Sequence, residues 1–315
     1  MAGWGSTTSD LMLRLAHDAR ARRFVESRTI RHDVVRRYVA GESLSGALDA
    51  TGELLVRGRR VSVTHLALDP LDRNEARERR KRLSKLVRRL DQAGYTSAGR
   101  VEISLRLGTL GAHLGRDGLS AATQRAASVV EAAAAVGAGV TLETEPTLDQ
   151  GRVIEAAASL RALPGAQVAL ALPSGMPRTE SDCVELAADG WRIRLYQGPV
   201  GAAGAYARRA EANRAYVRCL QTLMAAPPVP IVATQDTRLL AIAEELAART
   251  ERADCGVEYL LPYGMRPERQ AVVADRGGRM QVYVPYGPDW YPYLMSRLAE
   301  QPGDVAALLR AAAAR

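Results

Sequence analysis

Between residues 61 and 285, short β-like runs alternate with helix-patterned segments, and this alternation restricts the fold more than any other property of the chain. The runs are VSVTHL (61–66), VEISLRL (101–107), GVTLE (139–143), QVALAL (167–172), RIRLY (192–196), PIVAT (230–234), VEYLL (257–261) and MQVYVP (280–285). Segments such as SAATQRAASVVEAAAAV, TESDCVELAA, AYARRAEANRAYVRCLQTLMAA and DTRLLAIAEELAART lie between them, with apolar residues every three or four positions. Strands joined through helices pair in parallel. Eight such units predict an α/β fold, a closed (βα)8 TIM-type barrel, with an open doubly wound sheet as the second reading. No G-x-G-x-x-G follows an early strand, which weighs against the open dinucleotide-binding form.

Residues 1–58 read as an N-terminal helical segment, punctuated by Gly41 and Gly52, with the barrel over 59–300 and a helical tail over 301–315. Thr179 and Asp182 predict a capping box at one helix start. No stretch is long and apolar enough for a membrane span, and the N-terminus lacks the order of a signal peptide, so the expected location is cytoplasmic. Cys183, Cys219 and Cys255 form no CxxC pair and read as buried or free thiols. His17, His32, His65 and His113 show no metal-ligand spacing, so no metal site is assigned. Formal charge is +8, and its densest run, ARERRKRLSKLVRR (76–89), has apolar residues at helical spacing. It predicts an amphipathic helix with a wet basic back. No nucleic-acid-binding signature accompanies it, so no nucleic-acid partner is expected.

A parallel barrel carries its chemistry at the C-terminal ends of its strands. Those ends offer Arg106, Glu143, Ser174, Arg194 with Tyr196 and Gln197, Thr234 with Gln235 and Asp236, Tyr263, and Tyr283 with Tyr286, while the strand bodies are expected to stay apolar. Arg194 stands inside a strand-like run, where an unpaired charge is costly; a phosphate, a carboxylate or an electron-rich ring would serve as partner.

Taken in order, these segments resemble the proline dehydrogenase family, FAD-dependent (βα)8 barrels that oxidise proline. The resemblance runs from about residue 30 to 300 and is carried by ISLRLGTLG, TLETEPTLD, RIRLYQGPV, VATQD, VEYLLPYGMR and, best of all, YVPYGPDWYPYLMSRLAE. It implies FAD as cofactor, with Arg194 near flavin N5 and Gln197, Gly198, Thr234, Gln235, Tyr263, Gly264 and Glu300 at or near the flavin. It also implies a substrate pocket built from Arg106, Glu143, Tyr283, Tyr293, Ser296 and Arg297. The family presents two adjacent arginines to the substrate carboxylate; here Ser296 takes the place of the first and Arg297 remains.

Further departures accompany it: Arg106 for lysine, Glu143 for aspartate, Gln197 for lysine and Gln235 for histidine. Three readings follow. The chain is an FAD enzyme that removes a hydride from a carbon–nitrogen bond of a cyclic amine or amino acid other than proline; an outlying ordinary proline dehydrogenase; or a non-catalytic binding protein of the same fold. The resemblance implies a small amine or amino-acid substrate and a quinone, dioxygen or carrier protein as electron acceptor. A quinone acceptor in turn implies weak peripheral contact with the inner face of the membrane.

Overall fold

A computed structural model describes residues 36–252 and 256–300, with backbone alone for 36 and 297–300. Eight strands pair in sequence order and close: β1 (Arg60–His65), β2 (Val101–Arg106), β3 (Gly139–Glu143), β4 (Val168–Pro173), β5 (Arg192–Tyr196), β6 (Ile231–Ala233), β7 (Glu258–Pro262) and β8 (Arg279–Tyr286). All pairings are parallel, including the closing one between β1 and β8. The closed alternative is therefore correct, and the open sheet is not. Helix α1 (Leu44–Val56) leads in, and each strand is followed by a helix: α2 (Arg73–Gln92), α3 (Gly118–Ala135), α4 (Gln150–Arg161), α5 (Thr179–Ala188), α6 (Arg209–Ala225), α7 (Thr237–Arg249), α8 (Pro267–Asp275) and α9 (Trp290–Glu300).

The hydrophobic core lies between the barrel and its ring of helices. Val61, Val63, Ile103, Leu105, Val140, Leu142, Leu170, Leu172, Ile193, Leu195, Val282 and Val284 belong to it, packed with Leu83, Leu86, Val87 and Leu90 of α2 and their counterparts on other helices. The opposite parity of each strand faces inward. Register carries that parity around the closed sheet: Ser62 pairs with Glu102 and Tyr283, Ser104 with Thr141, Arg106 with Glu143, Ala171 with Arg194, and Ile231 with both Arg194 and Glu258. The strand bodies are therefore not uniformly apolar, contrary to expectation. Their inward parity carries arginines, glutamates and hydroxyls, held by mutual pairing.

One other expectation changes. Arg178, not Thr179, occupies the N-cap of α5. The Thr179 hydroxyl instead donates to Pro173 O at 2.7 Å, and Asp182 accepts from Arg178 and Gln150, so the capping-box residues are committed to tertiary contacts. Of the predicted N-terminal helical segment, α1 and a single turn at Arg36–Tyr38 fall among the described residues; residues 1–35 and the predicted tail 301–315 lie outside them. Helix α2 buries Ala76, Leu83, Leu86, Val87 and Leu90 and exposes most of its cations, as its pattern predicts. Cys183 and Cys219 are buried free thiols in mutual contact; that contact and burial push the Cys183 thiol well up. Cys255 lies outside the described residues.

Part of the aromatic closing segment is structural. Trp290 and Tyr291 are buried, and Trp290 Nε1 donates to Glu42 at 3.0 Å, which ties the start of α9 to the lead-in to α1.

Candidate active site at the barrel mouth

Arg194 projects from β5 across the barrel toward β1 and β2 and is 3% exposed. Its Nη1 donates to Ser104 Oγ at 2.8 Å and approaches Glu143 Oε1 at 3.4 Å. Its Nη2 donates to Ser62 Oγ at 2.8 Å and pairs with Glu102. The guanidinium lies 5.8 Å from the Tyr283 ring centre. Among the described residues no acceptor meets its buried Nε. Sequence alone places Arg194 inside a strand with an unnamed partner; two carboxylates and two serines fill that role.

Glu102 is 4% exposed and takes two further contacts beside Arg194: Thr141 Oγ1 donates at 2.8 Å and Arg192 Nη1 donates at 3.0 Å. Burial acts to raise its pKa, but Arg194, Arg192 and Thr141 outweigh burial and hold the carboxyl at about 2. Below it, Arg192 Nη2 meets Glu258 at 2.9 Å, and Arg60 approaches Glu258 at 3.2 Å. These ion pairs form one alternating chain through the barrel: Arg60, Glu258, Arg192, Glu102, Arg194, Glu143. Sequence analysis missed Glu102, Glu258 and the serines. The signal was the period-2 polarity of Glu102, Ser104 and Arg106 and of Arg192, Arg194 and Tyr196.

Around Glu143 the mouth is dense with polar groups. Ser104 Oγ donates to Glu143 at 2.6 Å. Arg106 donates to Ala67 O at 3.1 Å; burial opposes its charge, but Glu143, Glu145, Tyr283 and Asp69 raise its pKa overall. Glu145, absent from the sequence expectations, accepts from the Gly108 N–H at 2.8 Å, and burial pushes its carboxyl up. Tyr283 stacks on Tyr293 with ring centres 6.4 Å apart and planes at 29°. Burial and the nearby Glu143 push the Tyr283 phenol well up, so it stays neutral across the working pH range.

Opposite, the ends of β5 and β6 share an amide relay. Thr234 Oγ1 donates to Gln197 Oε1 at 2.9 Å, Gln197 Nε2 donates to Asn213 Oδ1 at 2.9 Å, and Asn213 Nδ2 donates to Asp236 at 3.4 Å. Asp236 also caps α7 by accepting from Arg238 and Leu239 N–H, which fixes the end of the relay. The half-buried Gln235 lies beside Thr234. Gly198 has φ +69°, and a Cβ there would lie 2.4 Å from Pro173 Cβ.

The remaining expected site residues are placed as follows. Tyr263 N–H donates to Tyr283 O at 2.9 Å, between β7 and β8. Gly264 has φ +72° and packs against the backbone of Arg37; a Cβ would lie 1.6 Å from Arg37 O. Ser296 donates to Pro292 O at 3.0 Å within α9. Arg297 and Glu300 follow in the same helix, with side chains outside the described set. Arg194, Arg106, Glu143, Tyr283 and Tyr293 thus converge on one side of the mouth, and Gln197 and Thr234 join β5 to β6. Among the described residues no group of three or more His, Cys, Asp or Glu side chains could hold a metal ion, and no helix is long and apolar enough to cross a membrane.

No protein-family model matches the chain. It is similar to proline dehydrogenase 1 of Bacillus subtilis (strain 168), 24% identical over 277 residues that cover 87% of this chain and 89% of that protein. It is also similar to proline dehydrogenase of Deinococcus radiodurans, 26% identical over 280 residues that cover 87% and 88%. Among solved structures, proline utilization A from Bdellovibrio bacteriovorus, inactivated by N-propargylglycine, superposes with a TM-score of 0.78 at 19% identity. That match covers 88% of this chain and 33% of the longer one, so the chain spans about a third of that protein's length. Similarity to proline dehydrogenases over nearly the whole chain, on a closed eight-stranded barrel, supports reading it as a divergent relative of the proline dehydrogenases.

Proposed function

We propose that the protein is an FAD-dependent dehydrogenase that oxidises the CH–NH bond of proline or a related cyclic amine or amino acid to an imine. The observation that carries the proposal is the buried Arg194 Nε, a cationic donor with no acceptor among the described residues. A ring nitrogen or carbonyl oxygen of a bound flavin would satisfy that donor, so the residues fit the cofactor. Bound FAD would supply the hydride-accepting chemistry needed at the carbon beside the amine nitrogen. Arg194 supplies positive charge in a buried setting, where it acts more strongly than in water. Gln197 and Thr234 offer hydrogen-bonding groups whose orientation is fixed by Asn213 and Asp236. Tyr283 and Tyr293 wall the substrate and exclude water.

Arg297 is assigned to the substrate carboxylate by the family resemblance and by its four-residue spacing from Tyr293. Ser296 removes the second cation, and this supports a substrate preference shifted away from proline. Gly198, Gln235, Tyr263, Gly264 and Glu300 remain assigned to the neighbourhood of the cofactor, and Glu143 orients Arg106. Electrons leave to a quinone, dioxygen or a carrier protein. We place the protein in the cytoplasm, with the basic face of α2 making weak contact with anionic lipid. Flotation with phosphatidylglycerol vesicles tests that contact; recovery equal to that with neutral vesicles contradicts it.

The test of function is anaerobic mixing of FAD-loaded protein with proline and with a panel of cyclic amines and amino acids, followed by flavin absorbance. Bleaching by at least one member supports dehydrogenation. A yellow protein that no member bleaches points to the non-catalytic reading.

A further inference from the structure

The two terminal nitrogens of Arg194 are fully engaged by protein: Ser104 and Glu143 take Nη1, Ser62 and Glu102 take Nη2. Among the described residues Nε alone has no acceptor and remains for a ligand. The guanidinium also belongs to a continuous ion-pair chain of Arg60, Glu258, Arg192, Glu102, Arg194 and Glu143. Cations and carboxylates alternate along it and match in number, so the chain has no net charge. Glu102 is its pivot, shared by Arg192 and Arg194 and fixed by Thr141.

We propose that Glu102 is a positioning residue that clamps the Arg194 guanidinium and neutralises its charge, and so sets how strongly a bound flavin is stabilised in its reduced, more negative form. This rests on the flavin reading above. A lone buried guanidinium beside the ring would favour added negative charge strongly. One already matched by carboxylates on its far side favours it less, while its geometry is held more rigidly. Two electrons and a proton enter the ring as hydride, and the negative charge that remains is what Arg194 meets. Glu102 therefore lowers the reduction potential of the site.

The experiment compares the flavin midpoint potential of FAD-loaded wild type, Glu102→Gln and Glu102→Asp by spectroelectrochemical titration. Glu102→Gln keeps an oxygen acceptor for Thr141 and Arg194 but removes the charge. A tenfold relative gain for the reduced form is expected, a positive shift of about 30 mV for a two-electron couple. Glu102→Asp keeps the charge and stays near wild type. A residue that only scaffolds the barrel gives an unchanged potential in Glu102→Gln, or a lower one as Arg194 loses its position; either result overturns the proposal. Should Glu102→Gln fail to accumulate as folded protein, Glu143→Gln decides the question with the same expected sign and a smaller shift, since Glu143 lies at 3.4 Å and is more exposed. A wild type that takes up no flavin overturns the functional reading, an outcome distinct from yellow protein with an unmoved potential.

Discussion

Ser104 on β2 accepts a hydrogen bond from Arg194 on β5 at 2.8 Å, and the same hydroxyl donates to Glu143 on β3 at 2.6 Å. One serine thus couples three strands and orients the cation that the functional proposal depends on. Replacing Arg194 should therefore disturb both stability and cofactor. Arg194→Ala leaves Glu102 and Glu143 without their shared counter-ion, a loss of about 3–5 kcal/mol for a broken buried pair. The expected outcome is a lower Tm and protein without the flavin absorption band. Arg194→Lys keeps the charge but not the planar fork, and should retain part of the flavin.

Acid should destabilise the protein in two stages. Burial, with Arg82 and Arg79 nearby, lowers the His65 pKa to about 4 from its ordinary 6.5. The unfolded chain takes up that proton first, so this share of stability is lost as pH falls from 6.5 to about 4. Glu102, held at about 2 against an ordinary 4.5, contributes stability that is present above 4.5 and lost as pH falls toward 2. Its share is on the order of 3 kcal/mol. Tm measured between pH 7 and pH 3 checks both stages; His65→Phe should remove the first and leave the second.

Ser296→Arg restores the second cation of the family pattern on α9. Its hydroxyl bond to Pro292 O is local and replaceable. With a charge-assisted hydrogen bond contributing about 1.5–3 kcal/mol, kcat/KM for proline should rise roughly tenfold to a hundredfold. Steady-state kinetics with proline as substrate decide it; an unchanged kcat/KM contradicts the proposal that Ser296 shifts the substrate preference.

Gly264 joins the barrel to the lead-in turn, and no side chain fits there. Gly264→Ala meets Arg37 O at 1.6 Å and a left-handed backbone, so the turn must move. A destabilisation of about 1–3 kcal/mol is expected from the strained backbone alone. Thermal unfolding of the variant, beside Gly41→Ala as a left-handed position with open space around it, separates the clash from the backbone strain.

The barrel was legible because each strand carries an apolar outward parity, and runs such as GVTLE and RIRLY match β3 and β5 to the residue. The interior was harder to read. A buried glutamate such as Glu258 looks like a misplaced surface residue until closure brings Arg192 and Arg60 to it from β5 and β1. Arg194 was recognisable as a charge in need of a partner, yet Glu102 lies 92 residues away, and only the barrel's circular register brings them together. The helix start at Thr179 was misread because its hydroxyl and Asp182 have tertiary partners that no local pattern announces.

The most direct test of the account is the visible spectrum of the purified protein after incubation with FAD and gel filtration, recorded before and after anaerobic addition of proline and cyclic amines. Retained flavin bands that one of these donors bleaches are the predicted result. Protein that emerges colourless, with FAD running separately, contradicts it.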